Sequence, residues 1–408
     1  MRIAIVSDYF LDYVGGAQTS MKQQQLALEE AGHRVVMVSA KRSLLGRRLS
    51  HVADGVRMQP NFTIPGLQLP VVPNNSRVRA KLRKYFTDEQ IDVVHIQTEF
   101  SLAHAAADVA ATMGIPVVHT VHTFYWASTT GPQASIAWFL RWGLQVVTKS
   151  KISRQTFTPR AADNLLRNLT LDMALRADRV ISPSAHQAAD LAAAGVTGDI
   201  AVLPNPVATS ATPSQPLESG IRPAFLWVAR CEPIKRPLVF ARGAIAALEQ
   251  TGDAFSVDFV GEGADLAELT ALVAGHPQLR VRGVQSHDTV LQLIDESSAV
   301  VVSSLGFDNQ PMTIAEAVSR QRGVLYCDPK LSEGLVNSGY LSPTPDAEGF
   351  AAAIVALVTD PALLPKLSGG AAIDRDAFAP AGYVKKVVAI YEQGRSSLSK
   401  SHQRLTGR

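Results

Sequence analysis

The chain is poor in cysteine and has no long hydrophobic run. Its two cysteines, Cys231 and Cys327, stand far apart and without the close spacing of metal ligands, which predicts a reduced, cytoplasmic protein. No stretch of about 18 uncharged apolar residues occurs, so no membrane-spanning helix is expected. The start, "MRIAIVSDYF", meets Asp8 too early for the apolar core of a signal peptide and lacks a small-residue cleavage site. It reads as a first strand. The glycine pair Gly15-Gly16 is neither G-x-G-x-x-G nor a phosphate loop ending in Gly-Lys-Ser/Thr, so neither hydride transfer nor ATP hydrolysis is signalled. His119 and His122 have no third ligand nearby in sequence, and zinc is not expected.

The two signs of charge nearly balance, with 39 Lys and Arg against 36 Asp and Glu for a net +3. Its distribution is uneven. Residues 1–203 hold 21 Lys and Arg against 15 Asp and Glu, while the remainder holds 18 against 21. The basic excess gathers in "KRSLLGRR" (41–48), "RVRAKLRK" (77–84) and "KSKISR" (149–154). Such clusters suit an anionic partner such as a membrane surface, nucleic acid or phosphorylated substrate, or else a solvated face.

At 408 residues the chain suits two domains of about 200 residues each. Short Val/Ile-rich runs alternate with helical stretches throughout. They lie at 2–8, 34–40, 92–97, 116–123, 179–184 and 200–205, then at 224–230, 256–263, 279–284, 299–304 and 323–328. This pattern predicts parallel sheets covered on both faces. The Pro-, Ser- and Thr-rich segment 205–223 is the linker. The expected order is a first domain (1–204), the linker, and a second domain (224–378). A C-terminal helix (379–397) returning to the first domain follows, then a disordered tail (398–408). Residues 124–178 read as mostly helical, and "SIAWFLRWGLQVV" (135–147) is either an interior helix or a surface for an anionic leaflet.

In doubly wound sheets, ligands bind at the C-terminal strand ends near the switch point. Arg230 ends the strand at 224–230 and Lys235 opens the next helix, so the two flank one loop beside helix N–H groups, which suits a diphosphate. Two surface charges are the plain alternative. In "GFDNQPMTIAEAV" (306–318), Pro311 fits the first turn of a helix and Asp308, Asn309 and Gln310 lie at its mouth. Such groups accept from and donate to the hydroxyls of a polyhydroxylated ligand. Glu316 suits a ribose diol, or an ordinary helical ion pair with Arg320. Gly15 and Gly16 permit close approach of a ligand to the backbone. The "GEG" at 261–263 is a weak glycine turn at a strand end. His122, nearer its strand end than His119, is the better candidate for a ligand-facing residue, with His95 and Glu99 at the preceding strand end.

Taken together, "VGGAQTS", "IPVVHTVHTFY", "ADRVISPS", "VLPNPV", "VARCEPIKRP", "VDFVGEG" and "GFDNQPMTIAEAV" make the chain resemble the retaining, nucleotide-sugar-dependent glycosyltransferases of the GT-B fold, family four. The resemblance covers nearly the whole chain. It implies an α/β fold of two doubly wound Rossmann-like domains facing across a cleft, and a metal-independent enzyme without a cofactor. It matches Arg230 and Lys235 to the cationic pair on the donor diphosphate and Glu316 to the acid that binds the donor ribose. Asp308 matches the first acid of the acid-x7-acid motif, where the family usually has glutamate, one methylene longer. Backbone N–H groups of Asn309, Gln310 and Met312, beside Pro311, would complete the sugar and phosphate contacts. His122 matches the histidine near the transferred sugar, Gly15 and Gly16 the loop over diphosphate and acceptor, and Gly261 and Val284 parts of the donor site. Arg320-Gln321-Arg322 departs from the small residues usual there. "HIQTEFSL" with "HTVHTFY" is similar to the branch that glycosylates diacylglycerol or phosphatidylinositol, implying a lipid acceptor and a cytoplasmic enzyme peripheral on the inner membrane face. The alternatives are a polysaccharide or small-molecule acceptor, a non-catalytic nucleotide-sugar binder, and a sugar-nucleotide epimerase. No nucleic-acid partner is implied.

Overall fold

The computed structural model describes the chain except residues 12–14, 42–54, 65–68, 127–133, 209–214 and 407–408, and except the side chains of 134–136 and 397–406. The basic run at 42–48 and the middle of the expected linker therefore lie outside the described residues. The chain divides into two compact units: residues 1–206 with 380–408, and residues 207–379.

In the first unit the strands are β1 (Arg2–Val6), β2 (Arg34–Ala40), β3 (Gly55–Met58), β4 (Phe62–Ile64), β5 (Leu69–Val71), β6 (Val93–Ile96), β7 (Val117–Thr120), β8 (Arg179–Ser182) and β9 (Ile200–Val202). Seven of them form one parallel sheet in the order β3-β2-β1-β6-β7-β8-β9, while β4 and β5 pair antiparallel beside it in sequence. The helices are α1 (Gly16–Glu30), α2 (Ser76–Asp88), α3 (Ser101–Met113), α4 (Ala134–Thr148), α5 (Ala161–Arg176) and α6 (Ala185–Ala193). Strands such as "VVHI" of β6 are buried on both faces, which is why they read as continuous apolar runs rather than alternating ones.

The second unit repeats the scheme. Strands β10 (Ala224–Val228), β11 (Ser256–Val260), β12 (Leu279–Gly283), β13 (Ala299–Val302), β14 (Gly323–Tyr326) and β15 (Gly339–Leu341) are all parallel, in the order β12-β11-β10-β13-β14-β15. Helices α7 (Pro237–Thr251), α8 (Leu266–Val273), α9 (His287–Glu296), α10 (Met312–Ser319), α11 (Ala347–Thr359) and α12 (Leu363–Asp374) accompany them. Phe225, Trp227, Phe240, Phe255, Phe259 and Phe350 fill one side of the sheet, each fully buried and contributing about 1.5–3 kcal/mol by the apolar surface it removes from water.

The last helix, α13 (Pro380–Thr406), belongs to the first unit. Tyr383, Val387, Ile390 and Tyr391, spaced as one helical stripe, pack on Ile3, Ile5, Val118 and Ile181. The helix continues to Thr406, through residues 398–406 of the segment expected to be a disordered tail. Those residues hold neither proline nor glycine, so nothing in the sequence breaks the backbone ladder there.

Both sheets have a switch point where chain order reverses: between β1 and β6 in the first unit, and between β10 and β13 in the second. The crevice outside the strand ends at such a point is where ligands bind in this architecture.

Candidate functional site

In the second unit the loops after β10 and β13 meet at the switch point. Ser303, the residue after β13, joins them. Its hydroxyl accepts from Trp227 Nε1 at 2.8 Å and donates to the Lys235 carbonyl at 2.7 Å. Arg230, two residues past β10, is exposed. Lys235 does not open a long helix, as expected from sequence. It closes a 3₁₀ turn (Pro233–Lys235), and Arg236 in the left-handed region separates that turn from α7. Pro233 holds Glu232 extended at the start of the turn, and Pro237 takes the first position of α7. The step directs Lys235 across to the other loop. There its ammonium pairs with the Asp308 carboxylate and lies 5.4 Å from the Phe307 ring centre. The other Asp308 oxygen accepts from the Ser304 hydroxyl.

Pro311 stands at the cap position with extended backbone, one residue before α10, rather than within its first turn. Pro311 itself has no side-chain acceptor with which to cap the helix. Its N-terminus therefore carries backbone donors and a partial positive charge that favour an anion. Asn309 is buried and Gln310 half-buried in the loop leading to it, and Met312 is the first helical residue.

Glu316 is buried in α10 and does not pair with Arg320. Arg320 instead grips Asp295 of α9, with Nε 2.7 Å from Oδ1. Glu316 Oε1 lies 2.9 Å from Nε2 of His287, the first residue of α9. His287 was not among the expected site residues. Its signal was present in "QSHD", a Ser cap followed by a histidine four residues beyond the β12 strand end. Val284, just after β12, is largely exposed. Gly261 follows β11 at φ +142°, and a Cβ there would stand 1.9 Å from the Ala229 carbonyl oxygen. Glycine is thus required for the loops after β10 and β11 to pack together. Gly261 N–H in turn donates to Gly283 O at 2.9 Å.

The first unit brings a second set of residues to its β1/β6 switch point. Gly15 caps α1 and Gly16 begins it. A Cβ at Gly16 would meet nothing within 4 Å, so internal packing sets no demand for glycine there. His122 Nε2 lies 2.6 Å from Gln97 Oε1. The oxygen can only accept, so Nε2 carries the proton. Burial pushes the His122 pKa down to about 4, which keeps the ring neutral at pH 7. Gln97 Nε2 donates onward to Gln24 Oε1 at 2.9 Å and to His95 Nε2 at 3.1 Å. His95 also meets Thr120 Oγ1 at 2.7 Å, and its Nδ1 meets the Tyr391 hydroxyl of α13 at 2.8 Å. Burial holds His95 and His119 at about 3. His119 is fully buried with neither ring nitrogen hydrogen-bonded, a core position rather than a ligand-facing one.

Two acids lie behind this edge. Asp8 accepts from the Thr98 hydroxyl and from the N–H groups of Phe100, Leu102 and Ala103, which anchors the start of α3. Burial nevertheless raises its pKa to about 6. Glu99 accepts from Thr170 Oγ1 at 3.0 Å, and burial raises it to about 8, with the neighbouring Asp8 charge adding to the shift. Among the described residues no group of three or more His, Cys, Asp or Glu side chains is placed to hold a metal ion.

Residues 14–211 match the family model described as Glycosyltransferase Family 4, and residues 222–360 that described as Glycosyl transferases group 1. Among curated proteins, an alpha-monoglucosyldiacylglycerol synthase of Streptococcus pneumoniae is 29% identical over 31% of this chain and 27% of its own length. One of Acholeplasma laidlawii is 34% identical over 31% of this chain and 30% of its own. These two matches thus span less than a third of either relative. A phosphatidyl-myo-inositol mannosyltransferase of Mycolicibacterium smegmatis is 24% identical over 88% of this chain and 85% of its own length. Among solved structures, Anabaena Alr3699/HepE in complex with UDP-glucose superposes with a TM-score of 0.68 at 15% identity, covering 96% of this chain and 99% of that one. Sucrose-phosphate synthase from Thermosynechococcus elongatus gives 0.68 at 17%, covering 97% and 99%. These likenesses establish the shared fold.

Proposed function

The chain belongs to the glycosyltransferases of the GT-B fold, with a family 4 domain in its first half and a group 1 domain in its second, and from that premise we propose that it is a retaining hexosyltransferase acting on a membrane lipid. The donor is a nucleotide-diphosphate sugar, UDP- or GDP-linked. The acceptor is a lipid hydroxyl such as that of diacylglycerol or a phosphatidylinositol, and the enzyme works peripherally at the inner membrane face. The relatives named for monoglucosyldiacylglycerol and phosphatidyl-myo-inositol support the acceptor class.

The observation that carries the reading is the Lys235–Asp308 pair joining the loop after β10, which carries Arg230, to the loop after β13, which leads into the start of α10. Arg230 and Lys235 take the donor diphosphate. Asp308, Asn309, Gln310, Pro311 and Met312 line the sugar side through the Asp308 carboxylate and backbone N–H groups. Glu316, oriented by His287, takes the ribose diol, and the backbone near Gly261 and Val284 meets the base. In the first unit, Gly15 and Gly16 leave the backbone open to the diphosphate and acceptor, and neutral His122 serves the transferred sugar.

In the reaction, the bond from the anomeric carbon to the phosphate oxygen breaks and the bond to the acceptor oxygen forms on the same face. The acceptor proton passes to the leaving phosphate. Arg230, Lys235 and the α10 N-terminus stabilise the departing charge, worth several kcal/mol where water is excluded. These fixed charges do the work a divalent cation does elsewhere, so no metal or cofactor is required. No side chain acts as a nucleophile. The test is incubation of the purified protein with UDP- and GDP-hexoses and detergent-dispersed diacylglycerol or phosphatidylinositol. A lipid product heavier by one hexose, with the donor's anomeric configuration, is expected. Transfer only to soluble acceptors would remove the lipid assignment, and an inverted product would remove retention.

A further inference from the structure

Helix α4 has two apolar faces where a surface helix needs one. Ala137 and Thr148 are buried, and Leu144 packs against Phe100, Ile152, Leu165 and Leu169. On the other face, Trp138 is 66% exposed, Trp142 54% and Val146 55%, at successive i+4 positions, with Phe139 at 60% beside them. The rings of Phe139 and Trp142 lie 5.8 Å apart, so this face is one continuous aromatic patch. It is not an interior helix. At about 22 Å for its 15 residues, α4 is also shorter than the roughly 30 Å hydrocarbon core of a bilayer.

A cavity of about 300 Å³ adjoins the patch, lined by Trp138, Arg141, Arg154, Gln155, Thr156 and Asn164 among others. Arg141 Nη1 donates to the carbonyls of Ile152 at 2.7 Å and Ser153 at 2.8 Å, which fixes its guanidinium against the cavity wall. Arg154 is exposed at the rim. The nearby acid, Asp172, is occupied by the Ser153 N–H and hydroxyl. The sequence around the patch is wholly cationic. Between Asp108 and Asp163 it holds no acid, but it holds Arg141, Lys149, Lys151, Arg154 and Arg160. The start of α2 abuts the end of α4, where Asn74 N–H and Nδ2 each donate at 2.8 Å to the Val147 and Thr148 carbonyls. That helix adds exposed Arg77 and Lys81.

An aromatic face rimmed by cations matches an anionic leaflet, in which rings enter the acyl boundary and guanidinium forks meet phosphates. We propose that α4 lies in the membrane plane with Trp138, Phe139, Trp142 and Val146 among the acyl chains, and that the cavity lined by Arg141 and Arg154 seats the phosphate of an anionic phospholipid. This site rests on the lipid-acceptor reading and gives it a docking surface.

Vesicle flotation of the full chain tests it, with phosphatidylcholine vesicles with and without phosphatidylglycerol. The wild type floats with the anionic vesicles and weakly with the neutral ones. A Trp138→Ser/Trp142→Ser variant loses about tenfold or more in binding to both. Arg154→Glu removes the preference for anionic vesicles while its melting temperature stays unchanged. Variants that bind like the wild type would overturn the proposal. So would equal wild-type binding to both vesicles, or a dimer of the chain that the tryptophan variant abolishes in the absence of vesicle binding. Sugar transfer by the wild type to detergent-dispersed lipid separates the two readings: transfer without flotation sinks only the docking surface, and flotation without transfer sinks only the enzyme assignment.

Discussion

The Lys235 ammonium and the Asp308 carboxylate form an ion pair across the β10 and β13 strand ends, both side chains less than a fifth exposed. The pair holds the cation proposed for the donor diphosphate beside the acid proposed for the sugar. Lys235→Ala is expected to cut turnover by about two orders of magnitude or more, as loss of a preorganised charge in a closed site does. It also leaves Asp308 without its cation, at a stability cost of about 1–3 kcal/mol. The double variant Lys235→Ala/Asp308→Asn recovers most of that stability without recovering turnover. Melting temperatures and kcat/KM measured together check both statements.

Gln97 controls the state of His122. Its oxygen fixes the proton on His122 Nε2, and the ring stays neutral because it is buried. Gln97→Glu places a carboxylate where an amide oxygen stood, which favours the imidazolium. The acid limb of the kcat/KM profile is expected to move from about pH 4 towards neutrality. A profile unchanged in Gln97→Glu would mean that His122 does not act through this contact.

Glu99 sets one component of the pH dependence of stability. Its pKa is about 8 in the folded chain, raised by burial from the ordinary glutamate value of 4.5. Between these values the unfolded chain has released the proton and the folded chain keeps it, so this group's contribution to stability falls as pH rises. The slope has a ceiling of about 1.4 kcal/mol per pH unit. Glu99→Gln keeps the shape and removes the titration. Its melting temperature relative to wild type is expected to rise steadily from pH 5 to pH 8. The buried histidines act in the opposite sense, because His95, His119 and His122 hold fewer protons folded than unfolded below pH 6.5. They destabilise the fold as pH falls.

Excess chelator is expected to leave transfer unchanged, because the proposed mechanism gives the charge work to Arg230, Lys235 and the α10 N-terminus. A rate that collapses with chelator and returns with a divalent cation would replace that mechanism.

The strands and both switch-point loops were legible because parallel strands buried on two faces read as bare Val/Ile runs, and the site residues follow directly after them. Pairings across the fold were not legible. Glu316 has an arginine four residues on, yet its partner is His287, 29 residues upstream, because α9 and α10 run side by side. The His122 contact with Gln97 joins neighbouring strands β6 and β7, a register that neither strand's sequence reveals alone. Local spacing suggested a helix start at Lys235, but two prolines and a left-handed Arg236 override it. The aromatic run of α4 carried no periodic cue, since both its faces are apolar and only burial tells them apart.

The most direct test of the central claim is release of nucleoside diphosphate from a panel of UDP- and GDP-sugars, with and without vesicles containing diacylglycerol or phosphatidylinositol, for the wild type and Lys235→Ala. One donor turned over by the wild type, accelerated by lipid and nearly silent in the variant, is the predicted result. Equal release by both proteins, or donor binding without release under any lipid condition, would contradict it.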